Sequence, residues 1–258
     1  MMVRVEAIAC LLLAAAAAQA QHLAGERLPP PFVPMWGEGA FERQTIRGAP
    51  FSARTETELV QTLADGNHIS GRWTGFVARD SAGRVRREQP LAAIGALLAA
   101  PDSPRLTVIV DPVARAVFFV DVQTKSARRM TWPADDRRAG GEPRDLAPVP
   151  GAAPSAESLG SREIAGVTAQ GTRSTYVVPA GRIGNERPLI VVSERWSSKD
   201  LGVDLETRHV DPRMGETRFR LTEIQQGEPD HALFEVPAGY TVEDGPPRPP
   251  RFDPPPPH

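Results

Sequence analysis

Apolar and polar residues alternate along most of this chain. Ile69, Gly71, Trp73, Gly75 and Val77 face one way, and His68, Ser70, Arg72 and Thr74 the other. A period of two is that of a half-buried β-strand. The glycines on the Trp73 face leave room for its ring or for something packed on it. Upstream, Thr55–Leu63 is rich in Thr and Val, and Ala64-Asp65-Gly66-Asn67 joins the two runs. Asp-Gly between such runs predicts a β-hairpin. Asp80-Ser81-Ala82-Gly83 then turns the chain into Arg84–Glu88. Leu106–Val110 and Val117–Val122 form a further hairpin around DPVARA, and Thr124-Lys125 turns into Ala127–Thr131. Gly171–Val178, Leu189–Trp196, Val203–Val210 and Thr217–Ile224 complete the predicted strands. Val203, Leu205 and Thr207 oppose Asp204, Glu206 and Arg208, while Phe219 and Leu221 oppose Arg218 and Arg220. One apolar and one polar face per strand is the pattern of an antiparallel sheet covered on one side.

One segment breaks the period. In LAAIGALLAA, Leu91–Ala100, the residues Leu91, Ile94, Leu97 and Leu98 fall at helical spacing, and Pro101 stops the run. It is apolar nearly all round, so it predicts a helix buried against the sheet. A second short helix is expected near Ala156–Leu159. The fold class is therefore mainly β (α+β): a curved antiparallel sheet or half-barrel with one or two short helices in its concavity.

Proline marks the borders. LPPPFVPMW lies at Leu28–Trp36 and PPRPPRFDPPPPH at Pro246–His258. Such runs favour extended polyproline II and cannot join a ladder. Pro133–Ser158, rich in Pro, Ala, Gly and Asp, reads as a long surface loop. The expected organisation is a signal peptide over 1–20 and a proline-rich segment over 21–47. A single β-rich domain follows over 48–242, interrupted at 133–158, with a proline-rich tail over 243–258.

The first twenty residues, MMVRVEAIACLLLAAAAAQA, justify that first boundary. Arg4 precedes an apolar run from Ala7 to Ala18, and Ala18-Gln19-Ala20 is a small-x-small cleavage signal. Export to the periplasm or medium is the implication. No other run approaches about 18 apolar residues, so no spanning segment is expected after cleavage. Cys10 lies inside this run and is the only cysteine. Cleavage leaves none for a thiol nucleophile, a cysteine metal site or a disulfide.

The formal net charge of −2 gives no case for a nucleic-acid partner. Arg43, Arg47, Arg84, Arg86, Arg87, Arg128 and Arg129 form a loose basic group, which reads as a solvated face or a contact for an anionic surface. The chain contains no HExxH, GxSxG, Walker loop or GxGxxG. His68, His209 and His231 lack the short spacings of metal sites. Asp111-Pro112 and Asp211-Pro212 fall where strands end, the place of turn caps, and Glu228-Pro229-Asp230 suits the start of a helical turn. No catalytic residue, metal ligand or cofactor is assigned.

The strings GAPFSARTETELVQTLADGNHI, AGRVRREQ, DPVARAVFFVD, VPAGRIGNERPLIVVSERWSSKDLGV and DPRMGETRFRLTEI resemble a group of uncharacterised exported bacterial proteins. More distantly, the succession of strands ending in FEVPAGYTV, with Phe234, Pro237, Gly239 and Val242, resembles the periplasmic lipoprotein-carrier (LolA/LolB-like) superfamily. That resemblance implies an open, strongly curved antiparallel sheet with helices in its concavity, handling acyl chains or exported proteins without covalent chemistry. Leu91–Ala100 would then be the plug. The expected function is non-enzymatic binding of an apolar ligand, an acyl chain or lipoprotein. Trp73, Phe76, Leu91, Ile94, Leu98, Phe119, Trp196 and Phe219 are the candidates for cavity or core. The alternative is an envelope protein-interaction or stress-sensing module with a solid core.

Overall fold

The computed structural model describes residues 45–90, 105–131 and 155–246. Twelve strands are described: β1 Phe51–Thr62, β2 His68–Arg79, β3 Val85–Pro90, β4 Arg105–Asp111, β5 Ala116–Asp121 and β6 Ser126–Thr131 come first. β7 Ser155–Ile164, β8 Val167–Val178, β9 Leu189–Ser198, β10 Val203–Asp211, β11 Gly215–Gln226 and β12 Thr241–Asp244 follow. All join one open sheet in the order β12-β6-β5-β4-β3-β2-β1-β11-β10-β9-β8-β7. Sequential strands pair antiparallel within β1–β6 and within β7–β11, and β11 returns to pair with β1. The exception is β12, which runs parallel to β6 and makes the sheet mixed.

The hairpins arise from local chemistry. Asp111 Oδ1 accepts from the backbone N–H groups of Val113 and Ala114, both at 2.8 Å, and Asp121 repeats the device with Gln123 and Thr124. Each turn closes through a residue in the left-handed region, Arg115 at φ 52° and Lys125 at φ 48°. Asp111 is a cap, as its position before Pro112 predicted, and Asp121 is a second one that the sequence reading did not name.

Two cores follow. The first gathers Phe51, Ala53, Val77, Leu205, Phe219 and Leu221 with Val167, Ala169 and the turn residue Leu201. It is concentrated where β1 begins and β2 ends. The second, Ile109, Val120 and Ala127, lies on the opposite face of β4–β6 and is covered by Val236 and Tyr240. Contacts across the first core curve the sheet. β2 and β10 are three places apart, roughly 14 Å in a flat sheet. Yet the Arg79 guanidinium, at the end of β2, donates both to Ala49 O at 2.8 Å and to Leu201 O beside the start of β10.

Three expectations are corrected. Ala156–Leu159 is not a helix but part of β7, and the loop placed at 133–158 ends before Ser155. SAESLGSREI buries almost nothing, so its strand is held by its ladder to β8 rather than by side-chain packing. Phe234 does not open the last strand. It closes a 3-10 turn, His231–Phe234, capped by Asp230, and β12 starts only at Thr241. Pro237 and Gly239, the latter at φ 83°, occupy the interval. The predicted helix Leu91–Ala100, the first proline-rich run, all of the second beyond Pro246 and the first twenty residues lie outside the described residues. No described helix is long and apolar enough to cross a membrane.

Candidate functional site

Register sorts the side chains into two faces. Thr57 pairs with Trp73 on one side and Phe219 on the other, and Phe219 pairs with Thr207. The next row is Gly71, Leu59, Thr217, His209, Ser193 and Ser174. Paired residues point to the same side, so these two rows share the inner face with Val77. Towards the first core this face is filled: Phe219 is buried. Away from it, Ile69, Leu59, Trp73, Val191 and Tyr176 are half-buried, with hydroxyl groups and one imidazole between them. Among the described elements, the piece that lies across the sheet is the 3-10 turn, and it covers the other side, over β3 and β4.

The outer face is a lattice of ion pairs. One row crosses seven strands: Arg72, Glu58, Arg218, Arg208, Glu194, Arg173 and Glu157. Glu216 bridges Arg208 at 2.8 Å and Arg218 at 2.5 Å, while Arg173 bridges Glu194 at 2.9 Å and Glu157 at 3.2 Å. Hydrogen bonds from Arg208 and then Arg218 hold the Glu216 carboxyl down to about 2. Cross-strand charge pairing of this kind keeps a sheet face in water.

Titratable groups on the inner side behave differently. Burial pushes the Arg87 guanidinium down to about 9. Burial also pushes the His209 imidazole below its usual range, against the pull of Asp211. Its Nδ1 lies 2.8 Å from Ser193 Oγ. Asp211, the acid beside His209, is engaged by Arg213. Burial raises the Asp211 carboxyl, but Arg213 outweighs it through both side chain and backbone, leaving the group below its usual range. Asp111 caps its turn and pairs with Arg84, and Glu228 ties down Ser81 from across the sheet. His68 touches Thr62, and His231 lies 3.3 Å from Glu235. Among the described residues no group of three His, Cys, Asp or Glu side chains is placed to hold a metal ion. The loose basic group is largely neutralised by Asp80, Asp111, Glu88, Glu243 and Asp244.

The predicted aromatic set is divided by the sheet. Trp73 and Phe219 share one row. Phe119 joins their face through the row Val77, Arg87, Val108, Phe119. Phe76 pairs with Arg54 and Glu88 and stands on the outer face. Trp196 pairs with Glu206 and Gly171 beside the β10 bulge and packs against the first core, and Arg162 lies over its ring at 3.9 Å while bridging Glu206. Gly171 is required there, because a Cβ would lie 2.8 Å from the Trp196 ring. Leu91, Ile94 and Leu98 lie outside the described residues. Sequence reasoning missed Leu59, Val191, Tyr176, His209 and Ser193 as inner-face neighbours. Their strands were visible, but the register that aligns them was not.

No family model and no curated protein matches the chain. Solved structures with a similar sheet include an uncharacterised conserved protein from Thermus thermophilus, at TM-score 0.42 and 10% identity over 76% of this chain and 90% of that one. Another is MucB of Pseudomonas aeruginosa in complex with MucA, at TM-score 0.43 and 17% identity, matched over 76% of this chain and 59% of that one. A LolA superfamily protein from Nitrosomonas europaea matches at TM-score 0.31 and 8% identity over 72% of this chain and 90% of that one. Likeness at this level assigns neither ligand nor partner.

Proposed function

We propose that this is a non-enzymatic exported protein that binds an apolar ligand, an acyl chain or the lipid part of a lipoprotein, on the inner face of its sheet. One observation carries the reading. From β2 to β7 the outer face carries cross-strand ion pairs with Val60, Val177 and Ile190 exposed among them, whereas the inner face beyond the first core presents Trp73, Leu59, Ile69, Tyr176 and Val191 half-buried between hydroxyl groups. With them lies a His209 whose burial favours the neutral form. Arg195, next in the Trp73 row, is paired with Asp204, and Asp211 with Arg213, so hydrocarbon on this surface would leave these charges with their counterions. Periplasmic or extracellular location belongs to the same proposal and rests on the first twenty residues.

A second reading draws on β7. This is an edge strand of ten residues, exposed along most of its length, and edges of that kind accept an added strand from a partner. It describes an envelope interaction or stress-sensing module. Titration of the mature protein with a fluorescent fatty acid separates the two. The apolar-ligand reading predicts saturable binding that Trp73→Ala weakens by about tenfold, the value of one large apolar contact. Absence of binding, with the melting temperature intact, overturns it in favour of the module.

A further inference from the structure

A second concavity, of about 590 Å³, opens on the outer face. Its floor is Phe76, in a row with Arg54 on one side and Glu88 on the other. Four charged side chains line it, Arg54, Glu88, Arg105 and Glu223. Arg54 is paired with Glu223 at 2.8 Å, and Glu88 with Arg86 at 2.8 Å. Arg105 at the rim has no carboxylate partner among the described residues. Its one hydrogen bond runs to Thr74 O at 3.4 Å, too long to hold a guanidinium firmly. Both lining carboxylates are thus engaged by other arginines, and among the described residues Arg105 is the lining cation left to an incoming anion, beside a half-buried aromatic ring.

The wall opposite is unusual. Glu223 has φ 51° inside a strand, at the bulge where β11 faces Ser52–Arg54. A side chain bearing a Cβ seldom adopts that conformation, and bulges re-aim side chains. Here the bulge brings a carboxylate onto Arg54 at the groove. The pair is well exposed, so it can open in exchange for another anion.

We infer that this groove binds a small organic anion with a flat apolar body, the body on Phe76 and the anionic group on Arg105. It is independent of the inner-face ligand, because Phe76 and Trp73 point to opposite sides of β2. The test is calorimetric titration of the full mature protein with 2-naphthoate, and with neutral 2-naphthamide as the uncharged match. The expected result is saturable binding of naphthoate, about tenfold weaker for the amide and about tenfold weaker to Arg105→Gln, the usual worth of one charge-assisted hydrogen bond. Phe76→Ala lowers affinity and Trp73→Ala leaves it unchanged. Arg105→Gln alters an exposed side chain, so the result stands even if Phe76→Ala fails to fold. Equal binding of acid and amide, full affinity in Arg105→Gln, loss of binding on Trp73→Ala, or no saturable binding each overturns the assignment.

Discussion

His209 and Glu216 are close in sequence and stand on opposite faces, and their protons report which face is which. Burial depresses the His209 imidazole below 6.5, so the folded chain favours the neutral ring. Above that value both folded and unfolded chains hold it neutral and its contribution is complete. As pH falls below about 6.5 the unfolded chain takes up the proton first, and stability is lost until pH passes the folded value. Glu216 acts lower. Its carboxyl is held from 4.5 down to about 2 by Arg208 and Arg218, so its contribution is present above 4.5 and lost as pH falls towards 2. Urea unfolding across this range should show two steps. His209→Gln removes the upper one and leaves the lower, and Glu216→Gln reduces the lower, which Asp211 shares, and leaves the upper. A His209→Gln profile that keeps the upper step would place that proton elsewhere.

At the scale of elements, the C-terminal stretch shows how side chains and backbone divide the labour. Gln225–Asp244 leaves β11, crosses the outer side and ends as a four-residue strand on β6. Phe234 is the anchor: it is 3% exposed, whereas Val242 of β12 is 45% exposed. Phe234→Ala is expected to cost about 3–5 kcal/mol, the range for emptying an aromatic site, and Val242→Ala within about 0.5 kcal/mol. Urea midpoints at constant m-value decide this, and equal losses would contradict the anchoring role of Phe234. Most strands were legible in the sequence because a strand buried on one side must alternate, as His68–Val77 and Val203–Val210 do. β7 was not, because both its sides are wet and its pairing leaves no apolar period. Asp111 and Asp211 were legible as caps because Asp-Pro at a strand end has a local cause. The site was legible only in part. Trp73, Phe76, Phe119, Trp196 and Phe219 are equivalent as aromatic residues in strands. Only register, set by contacts between distant segments such as Thr57 with Phe219, puts Trp73 and Phe219 in one row.

Across the whole molecule, the sheet works as a partition. One side is kept in water by charges that answer each other from β2 to β7. The other is packed at one end and offers apolar side chains among hydroxyls at the other. Curvature, visible in the reach of Arg79 from β2 to Leu201, gives that second side its concavity. The central claim is that an apolar ligand occupies the inner side beyond the first core. Trp73 stands there, whereas Trp196 packs against that core under Arg162, and the chain has two further tryptophans, Trp36 and Trp132. Two variants that retain a single tryptophan, one at 73 and one at 196, the others changed to Phe, isolate each signal. Titration with a bromine-labelled fatty acid, whose bromine quenches indole fluorescence on contact, is the most direct measurement. Saturable quenching of Trp73 with Trp196 unaffected is the predicted result; equal quenching of both, or quenching of Trp196 alone, would contradict it.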